Sequence, residues 1–545
     1  MTGLVRDPNV GFFDDQLTRE AVVKLAACNR LTFFVGAGAS LDLNLPTWSA
    51  LVSDLLKDTI SANFGPDSPV ETICAELVNQ LFQVPAASVI DSLLFDEARA
   101  SLSGRPARST IHAKMLSTRN ERLRKSLYKR DRFGDITVGP TLVGKMLELA
   151  ILLRRAGVDV HIVTTNYDNA FEEAALHEPL FSIMSTERLR LVLFAESPPE
   201  AGDLDEGDIP VVHIHGLLRA PSGYAAAGHN PIEGKIVFSE VDYIDWETGD
   251  FRTYLTNRVQ SGGLLTIGAS LRDNNIVARL RDGTRSNNEP RYALMPSESE
   301  FKYLSDKNIA EKYWMPFVEM AARRGFIFGV SILRPDFYGQ VFQFLQELGV
   351  NVSSRINPGT AYVEYRARIR QWAVAWSTVR ESDEPGMRGN IETACRHLAV
   401  KFEALPQFDH CKVEVWARCE PDDRTMRRWC SSQSTWRPDA WPHTTLIRPL
   451  SKQNAVMAFS SRGTVINKTP GSADRRWTHC LTVPVFLDGE PWLGLPVGAL
   501  EILLHESGAA TSDECLNYLR ANATPWVKEI SKLGEKILTP EPWVD

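Results

Sequence analysis

Two short segments carry residue types that can hold a phosphorylated ligand and its sugar. Gly36-Ala37-Gly38-Ala39-Ser40 follows an apolar run, and glycines there let backbone N–H groups approach a pyrophosphate at the start of a helix. The third glycine of a dinucleotide fingerprint is absent, so a tight turn without a ligand explains the same pattern. Thr164-Thr165-Asn166-Tyr167-Asp168 sets an amide beside a carboxylate, which can hold a ribose hydroxyl and orient a water, or simply cap a helix.

Two further segments add a titratable group and a small-residue turn. In His213-Ile214-His215-Gly216, strand alternation predicts both histidines on one face, with His215 at the exposed end beside a flexible glycine. Histidine titrates near neutrality and can act as a general base, although a lone histidine is more often a core residue. Gly268 to Asn274 offers small residues that admit a ligand, and Asp273 either accepts hydroxyl hydrogen bonds or caps a helix.

The elements that position these segments are short apolar strands. The predicted strands cover residues 30–36, 159–165, 210–214, 235–238, 263–267, 292–295 and 326–330. Several of them end in Gly, Ser, Asn or His and then enter a helical pattern, which is typical of a parallel sheet covered on both faces. Ligands bind such sheets at the carboxyl ends of the strands, so the four polar segments are expected to converge on one edge.

In this order the motifs resemble those of sirtuin-like domains. The similarity runs from about residue 20 to residue 345 and also includes Ile-Val-Phe-Ser-Glu-Val-Asp-Tyr at 236–243 and Gly-Ala-Ser-Leu-Arg-Asp at 268–273. The sequence looks closer to bacterial sirtuin-like effectors of anti-phage defence than to protein deacetylases. The resemblance implies an α/β fold with a Rossmann-type parallel sheet and NAD as the substrate.

The resemblance also implies roles for individual residues. Asn166 matches the position that orients a water, and His215 matches the catalytic histidine. The cofactor-binding positions that it implies are Gly36, Ala37, Gly38 and Ser40 around the pyrophosphate, together with Thr165, Asp168, Gly268, Ser270 and Asp273.

Two departures from the deacetylase pattern bear on the reaction. The Asp-Phe-Arg element after the glycine loop is replaced by Leu45-Pro46-Thr47-Trp48, and the four-cysteine zinc module has no counterpart. Because that module helps to receive a peptide, the sequence favours NAD hydrolysis, which releases nicotinamide and ADP-ribose, and no metal is expected. The alternatives are NAD-dependent ADP-ribosyl transfer or deacylation, and a non-catalytic module that senses a nucleotide.

A change of composition near residue 370 indicates a second domain. Ten of the thirteen tryptophans and six of the eight cysteines follow that point. We predict a catalytic domain at 1–350, a helical linker at 351–389 and a smaller α+β domain at 390–545. The last resembles a GAF-type sensor in element order alone, and a docking or oligomerisation module explains it equally well.

A basic segment interrupts the predicted catalytic domain at about 97–135. Residues 99–132 hold eleven Lys or Arg against two acidic residues, so a nucleic-acid surface is one interpretation. The favoured interpretation is a helical insertion packed against an acidic surface such as residues 196–208, because Tyr128 is the only aromatic interleaved with the charges.

Overall composition narrows the remaining classes. The chain of 545 residues is 43% hydrophobic and carries a net charge of −8, values that exclude general disorder and argue against wholesale nucleic-acid binding. No apolar stretch reaches the roughly 18 residues of a membrane span, and the cysteines are scattered, so we expect a cytoplasmic protein with reduced thiols. A two-domain effector of this kind, a homo-oligomer by expectation, would be silent until a phage component, small molecule or partner protein triggers it.

Overall fold

The computed structural model describes most of the chain, with gaps. The described residues are 12–13, 15–43, 45–64, 83–128, 141–176, 180–200, 202–220, 232–269, 274–283, 289–295, 329–335, 339–356, 385–418, 425–432, 444–447, 453–461, 464–468, 477–486 and 496–538.

A seven-stranded parallel sheet organises the N-terminal part. Its strands are β1 (Arg30–Val35), β2 (Asp159–Thr164), β3 (Arg190–Phe194), β4 (Asp208–His213), β7 (Gly263–Ile267), β8 (Arg291–Leu294) and β9 (Ser331–Leu333). They lie in the order β3-β4-β2-β1-β7-β8-β9. A two-stranded antiparallel ribbon, β5 (Leu217–Leu218) with β6 (Ile232–Glu233), accompanies the sheet. The predicted Rossmann-type parallel sheet is therefore confirmed.

Helices cover both faces of this sheet. They are α1 (Gln16–Ala26), α2 (Trp48–Phe64), α3 (Gln83–Ser101), α4 (Arg108–Leu127), α5 (Leu142–Arg155), α6 (Ala170–Leu176), α7 (Leu180–Thr186), α8 (Glu240–Glu247), α9 (Asp250–Ser261), α10 (Asn274–Gly283) and α11 (Gly339–Ile356). Alternate residues of β1 enter two separate cores: Phe33 packs on one side and Phe34 on the other. Burial on both faces explains why these strands are continuous apolar runs.

The strand order reverses beside β1, because the chain reaches β2, β4 and β3 on one side of it and β7 on the other. Loops that leave neighbouring strands in opposite directions open a crevice, the usual ligand site of doubly wound sheets. The four polar segments follow β1, β2, β4 and β7, so they all meet at this edge.

Two predicted strands differ from the structure, and one strand of the sheet was not predicted. Residues 235–238 form no strand, because loops and side chains satisfy their backbone: Val237 N–H donates to His215 O, and Val237 O accepts from the Tyr167 hydroxyl. Residues 326–328 of the strand expected at 326–330 lie outside the described residues; Gly329 lies in a turn with a φ of +66°, and β9 begins at Ser331. The edge strand β3 was not predicted.

The C-terminal part is a separate α+β unit. Its six-stranded antiparallel sheet has the order β12-β11-β10-β15-β14-β13. The strands are β10 (Phe408–Arg418), β11 (Thr425–Ser431), β12 (Thr444–Leu446), β13 (Val465–Lys468), β14 (His479–Phe486) and β15 (Pro496–Glu506), and the helices are α12 (Pro385–Glu403), α13 (Asn454–Ser461), α14 (Ser512–Ala521) and α15 (Ala523–Leu538). One face packs on α12, α14 and α15, and the other packs on α13. The expected α+β class is confirmed.

A hydrogen bond between described residues links the two units. Arg418 at the end of β10 donates from Nη1 to Gln343 Oε1 on α11 at 3.4 Å, and its guanidinium lies over the Phe459 ring of α13. The predicted domain limits stay predictions, and much of the predicted linker, residues 357–384, lies outside the described residues. Within the described part of the chain, none of the helices is both long and apolar enough to cross a membrane.

Candidate active site

Backbone hydrogen bonds hold the four strand ends together. Thr165 N–H donates to Val35 O at 3.1 Å, and Ile214 N–H donates to Thr164 O at 3.0 Å. On the other side of β1, Gly36 N–H donates to Ile267 O at 3.0 Å. These bonds continue the sheet by one residue beyond the strands and fix the starting points of the loops that carry the predicted site residues.

The glycine loop meets the loop after β7 backbone to backbone. Gly38 N–H donates to Gly268 O at 2.9 Å, and a β-carbon on Gly36 or Gly38 would lie 2.6–2.9 Å from the backbone of Gly268 and Ala269. Gly268 has a φ of +70°, which glycine adopts without strain. The spacing of glycines therefore has a packing reason, and Ala37 begins a short 3₁₀-helix (Ala37–Leu43) directly after this contact.

Ser40 links the two polar residues of the second segment. Its hydroxyl accepts from Asn166 Nδ2 at 3.2 Å and donates to Asp168 Oδ2 at 3.2 Å. All three residues are buried, although they come from loops more than 120 positions apart. The predicted pyrophosphate residue Ser40 thus holds the predicted ribose and water residues in one hydrogen-bonded chain.

The Asn166 amide keeps one group available. Its backbone N–H is satisfied by Thr164 Oγ1 at 3.0 Å, and its Nδ2 is used by Ser40. Its Oδ1 is buried, and no donor among the described residues reaches it. Because a buried acceptor without a partner is unfavourable, this oxygen is suited to accept a hydrogen bond from a water or a ligand hydroxyl.

Asp168 caps a helix and has a raised pKa. Its Oδ1 accepts from Ala170 N–H at the start of α6, so the helix-cap interpretation is correct but incomplete. Burial raises the pKa of the Asp168 carboxyl to about 6, against the opposing effect of its hydrogen bonds to Ala170 and Ser40. The group therefore changes charge within the range in which enzymes work.

The two histidines contact different elements, so the prediction that they share a face is wrong. His213 Nδ1 lies 3.1 Å from Asn166 O, and burial lowers the pKa of His213 to about 4, which keeps the ring neutral. His215 lies in the turn beyond β4, is buried rather than exposed, and packs edge-on against Tyr243 and Trp246 of α8. The turn at Gly216, with a φ of +83°, ends the alternation that the prediction assumed.

Tyr128, at the end of the basic helix α4, reaches the base of this site. Its hydroxyl lies 2.8 Å from Asn169 Oδ1 and 2.7 Å from Leu218 O, and it accepts from Asn169 N–H at 3.1 Å. It therefore ties the loop of Asn166 to the segment after His215. The sequence analysis named both Tyr128 and His213 but predicted for neither the hydrogen bonds that it makes at this site.

Helix α4 of the basic insertion packs on the domain through one face, and its described ion pairs involve other partners than predicted. Arg119 is buried and pairs with Asp91 and with Asp242 at 2.9 and 2.8 Å, and Arg122 pairs with Glu97. Residues 196–208 do not supply these partners, because Asp205 and Asp208 pair with Arg190. A buried guanidinium needs such compensation, so Arg119 anchors α4 to α3 and α8.

Two further sequence predictions concern the rim of the site. Trp48, from the segment that replaces the deacetylase element, packs on the rings of Tyr167 and Phe238. Ser270 and Asp273 lie outside the described residues.

Comparison with known families supports the assignment of the domain. The family model of the SIR2-like domain matches residues 160–315, a segment that contains the Asn166, His215 and Gly268 loops. The chain therefore carries a SIR2-like domain; the glycine loop at 36–40 lies before the matched segment. No curated protein matches this sequence significantly.

The contact at Gly268 makes a stability prediction. Gly268→Ala should lower the stability of the N-terminal domain by about 3 kcal/mol or more, because backbone strain adds to a clash with Ala39 N at 2.3 Å. Gly104→Ala is the matched control: its φ is also positive, at +80°, but nothing lies within 4 Å of the added carbon, so only about 1–2 kcal/mol is expected. Thermal unfolding of both variants measures the difference, and equal losses would contradict the account of this contact.

Proposed function

We propose that the SIR2-like domain is an NAD⁺ glycohydrolase that cleaves NAD⁺ to nicotinamide and ADP-ribose. The observation that carries the proposal is the buried chain from Asn166 through Ser40 to Asp168, at the edge where the strand order reverses. It combines an available amide oxygen with a carboxylate whose charge is adjustable. Cleavage of NAD⁺ needs both groups: an acceptor that orients the water beside the glycosidic carbon, and a carboxylate that binds the ribose hydroxyls.

In the proposed reaction the bond between nicotinamide and ribose breaks, and its electron pair leaves with neutral nicotinamide. The ribose carbon becomes oxocarbenium-like and takes the oxygen of a water. Asn166 Oδ1 accepts a hydrogen bond from that water and directs it at the ribose carbon. This positioning lowers the entropic part of the activation barrier. His215 accepts the proton that the water or a ribose hydroxyl releases.

Neighbouring groups hold these residues in place. His213 stays neutral and orients the Asn166 backbone, and Tyr128 fixes Asn169 and Leu218 on either side. We assign Asp168 to bind the ribose hydroxyls, because a carboxylate accepts hydrogen bonds from hydroxyls more strongly than a neutral carboxylic acid does. Gly36, Ala37, Gly38 and Thr165 are assigned to the pyrophosphate side of NAD⁺, together with Gly268.

The C-terminal unit is proposed to hold the enzyme in check. In support, α11 receives the Arg418 hydrogen bond and packs on α5, and α5 in turn packs on α6 and on the 3₁₀-helix of the glycine loop. A signal at the C-terminal sheet can thus reach the Asp168 and Ser40 loops through packed helices. A GAF-like sensor role, a homo-oligomeric state and an effector role in bacterial anti-phage defence complete the proposal; the defence role is supported by the motif resemblance.

The catalytic assignment is tested by nicotinamide release from the purified chain, with and without lysate of phage-infected cells. Asn166→Ala and His215→Ala are each expected to lower release at least about 100-fold, and Asn166→Ala should also abolish protection of a bacterium against phage. Thr118→Ala, on the exposed side of α4, is the control for folding and purification. Activity retained in both variants contradicts the roles of Asn166 and His215.

The products of the same assay separate hydrolysis from its alternatives. Free ADP-ribose formed without added protein supports hydrolysis, whereas products that require an acceptor protein indicate ADP-ribosyl transfer or deacylation. Tight NAD⁺ binding with no nicotinamide release under either condition indicates a sensing module.

Asp168 predicts a pH dependence. Its pKa is raised to about 6, so the carboxylate dominates above that pH and the neutral acid below it. If the carboxylate holds the ribose, kcat/KM should fall about tenfold per pH unit below pH 6. Asp168→Asn should have a low kcat/KM that no longer falls below pH 6. The same fall in the variant would mean that another group causes the pH dependence.

The link between the units predicts a gain of resting activity. Gln343→Met keeps the side-chain volume but removes the oxygen that accepts from Arg418, so nicotinamide release without a trigger should rise about fivefold or more. Gln346→Met is the matched control, since Gln346 is an equally buried glutamine on the same helix. Equal resting rates in wild type and Gln343→Met would argue against this route of control.

A further inference from the structure

Three metal-binding side chains converge in the C-terminal unit, far from any motif that the sequence revealed. His479 is the first residue of β14, Glu506 is the last residue of β15, and Cys515 lies in the first turn of α14. Their ligand atoms all lie within 4.8 Å of one another. His479 and Cys515 are fully buried, and Glu506 Oε2 is buried with no hydrogen-bond partner in the described part of the chain.

The donor set selects a class of ion. Imidazole nitrogen, carboxylate oxygen and thiolate sulfur together suit Zn²⁺, which binds all three at about 2.0–2.3 Å in tetrahedral geometry. Tetrahedral bonds of that length set ligand atoms roughly 3.5 Å apart. Small rotamer changes therefore bring the three atoms into position, and three protein ligands leave one coordination position to water.

The surroundings orient each ligand. His479 has Thr478 Oγ1 at 3.0 Å from Nδ1 and Ser512 O at 3.0 Å from Nε2, so either ring nitrogen can bind the ion while the other keeps an orienting partner. A capping box between Thr511 and Glu514 fixes the first turn of α14.

The Cys515 thiol donates to Gln407 O at 3.4 Å. Metal binding replaces this proton, so one proton is released as the Zn–S bond forms.

We propose that His479, Glu506 and Cys515 form a zinc site that ties α14 to the ends of β14 and β15. It goes beyond the NAD⁺ reaction, because all three ligands belong to the antiparallel sheet and its helix. The sequence did not predict it: the ligands are 27 and 9 positions apart, whereas the zinc patterns read from sequence are closely spaced cysteine pairs.

The test uses the full chain, stripped with a chelator and titrated with ZnCl₂ against a chromophoric zinc indicator. One high-affinity equivalent is expected, and bound Zn²⁺ should raise the unfolding temperature. Glu506→Gln and Cys515→Ser should each weaken binding at least about tenfold. His505→Gln is the control, because His505 is a nearby histidine that pairs with Asp409 at the surface.

Co²⁺ substitution checks the sulfur ligand directly. The wild type and His505→Gln should show a sulfur-to-cobalt charge-transfer absorption that Cys515→Ser lacks. Glu506→Gln keeps the side-chain shape and remains informative if Cys515→Ser fails to fold. Zinc affinity unchanged in Glu506→Gln, or absence of a high-affinity equivalent in the wild type, overturns the proposal.

Discussion

The contact between the loops after β1 and β7 is the constraint on which the candidate site depends. Gly36 and Gly38 lie against the backbone of Gly268 and Ala269, with no space for a side-chain carbon. This contact starts the 3₁₀-helix that carries Ser40. Ser40 can therefore reach Asn166 and Asp168, which follow β2, and close the polar chain across two loops. Without that approach the three polar residues would remain separate loop and cap residues.

Burial determines what these polar groups can do. A carboxyl in solution would be ionised at every physiological pH, yet Asp168 titrates near pH 6 because water is excluded from it. The same exclusion keeps His213 neutral, so it contacts the Asn166 backbone oxygen without adding a charge to the site. The site is supported from outside the motifs as well: Arg119 holds the basic helix against two carboxylates, and Tyr128 at the end of that helix joins the two loops.

Sequence patterns predicted the parallel sheet and the edge where its polar segments meet, because both follow from local rules. Apolar strands that end in Gly, Asn or His can be recognised in the sequence, and parallel strands bring their carboxyl ends to the same edge of the sheet. Local rules do not predict contacts between segments that are distant in the sequence. Residues 235–238 have the composition of a strand, but Tyr167 and His215 occupy their backbone groups. Likewise, Arg119 pairs with Asp91 and Asp242, whereas the sequence analysis had suggested the acidic stretch at 196–208.

The histidine pair illustrates the same limit. Side chains alternate along β4, since Val211 and Val212 pack in different cores. The positive φ of Gly216 interrupts this pattern beyond the strand, and His215 packs against α8. The proposed zinc ligands of the C-terminal unit were not predictable from local sequence either, since the pairing of β14 with β15 brings His479 close to Glu506. Local sequence thus indicates the chemistry of single segments, whereas long-range packing decides which segments cooperate.

The central claim is that the edge with Asn166, Ser40 and Asp168 hydrolyses NAD⁺. The most direct measurement is the molar ratio of nicotinamide to free ADP-ribose produced by the purified full chain, before and after exposure to lysate of phage-infected cells and with no purified acceptor protein added. The account predicts release of both products in equal amounts. Absence of nicotinamide release both before and after exposure to the lysate, or nicotinamide without matching ADP-ribose, would contradict it.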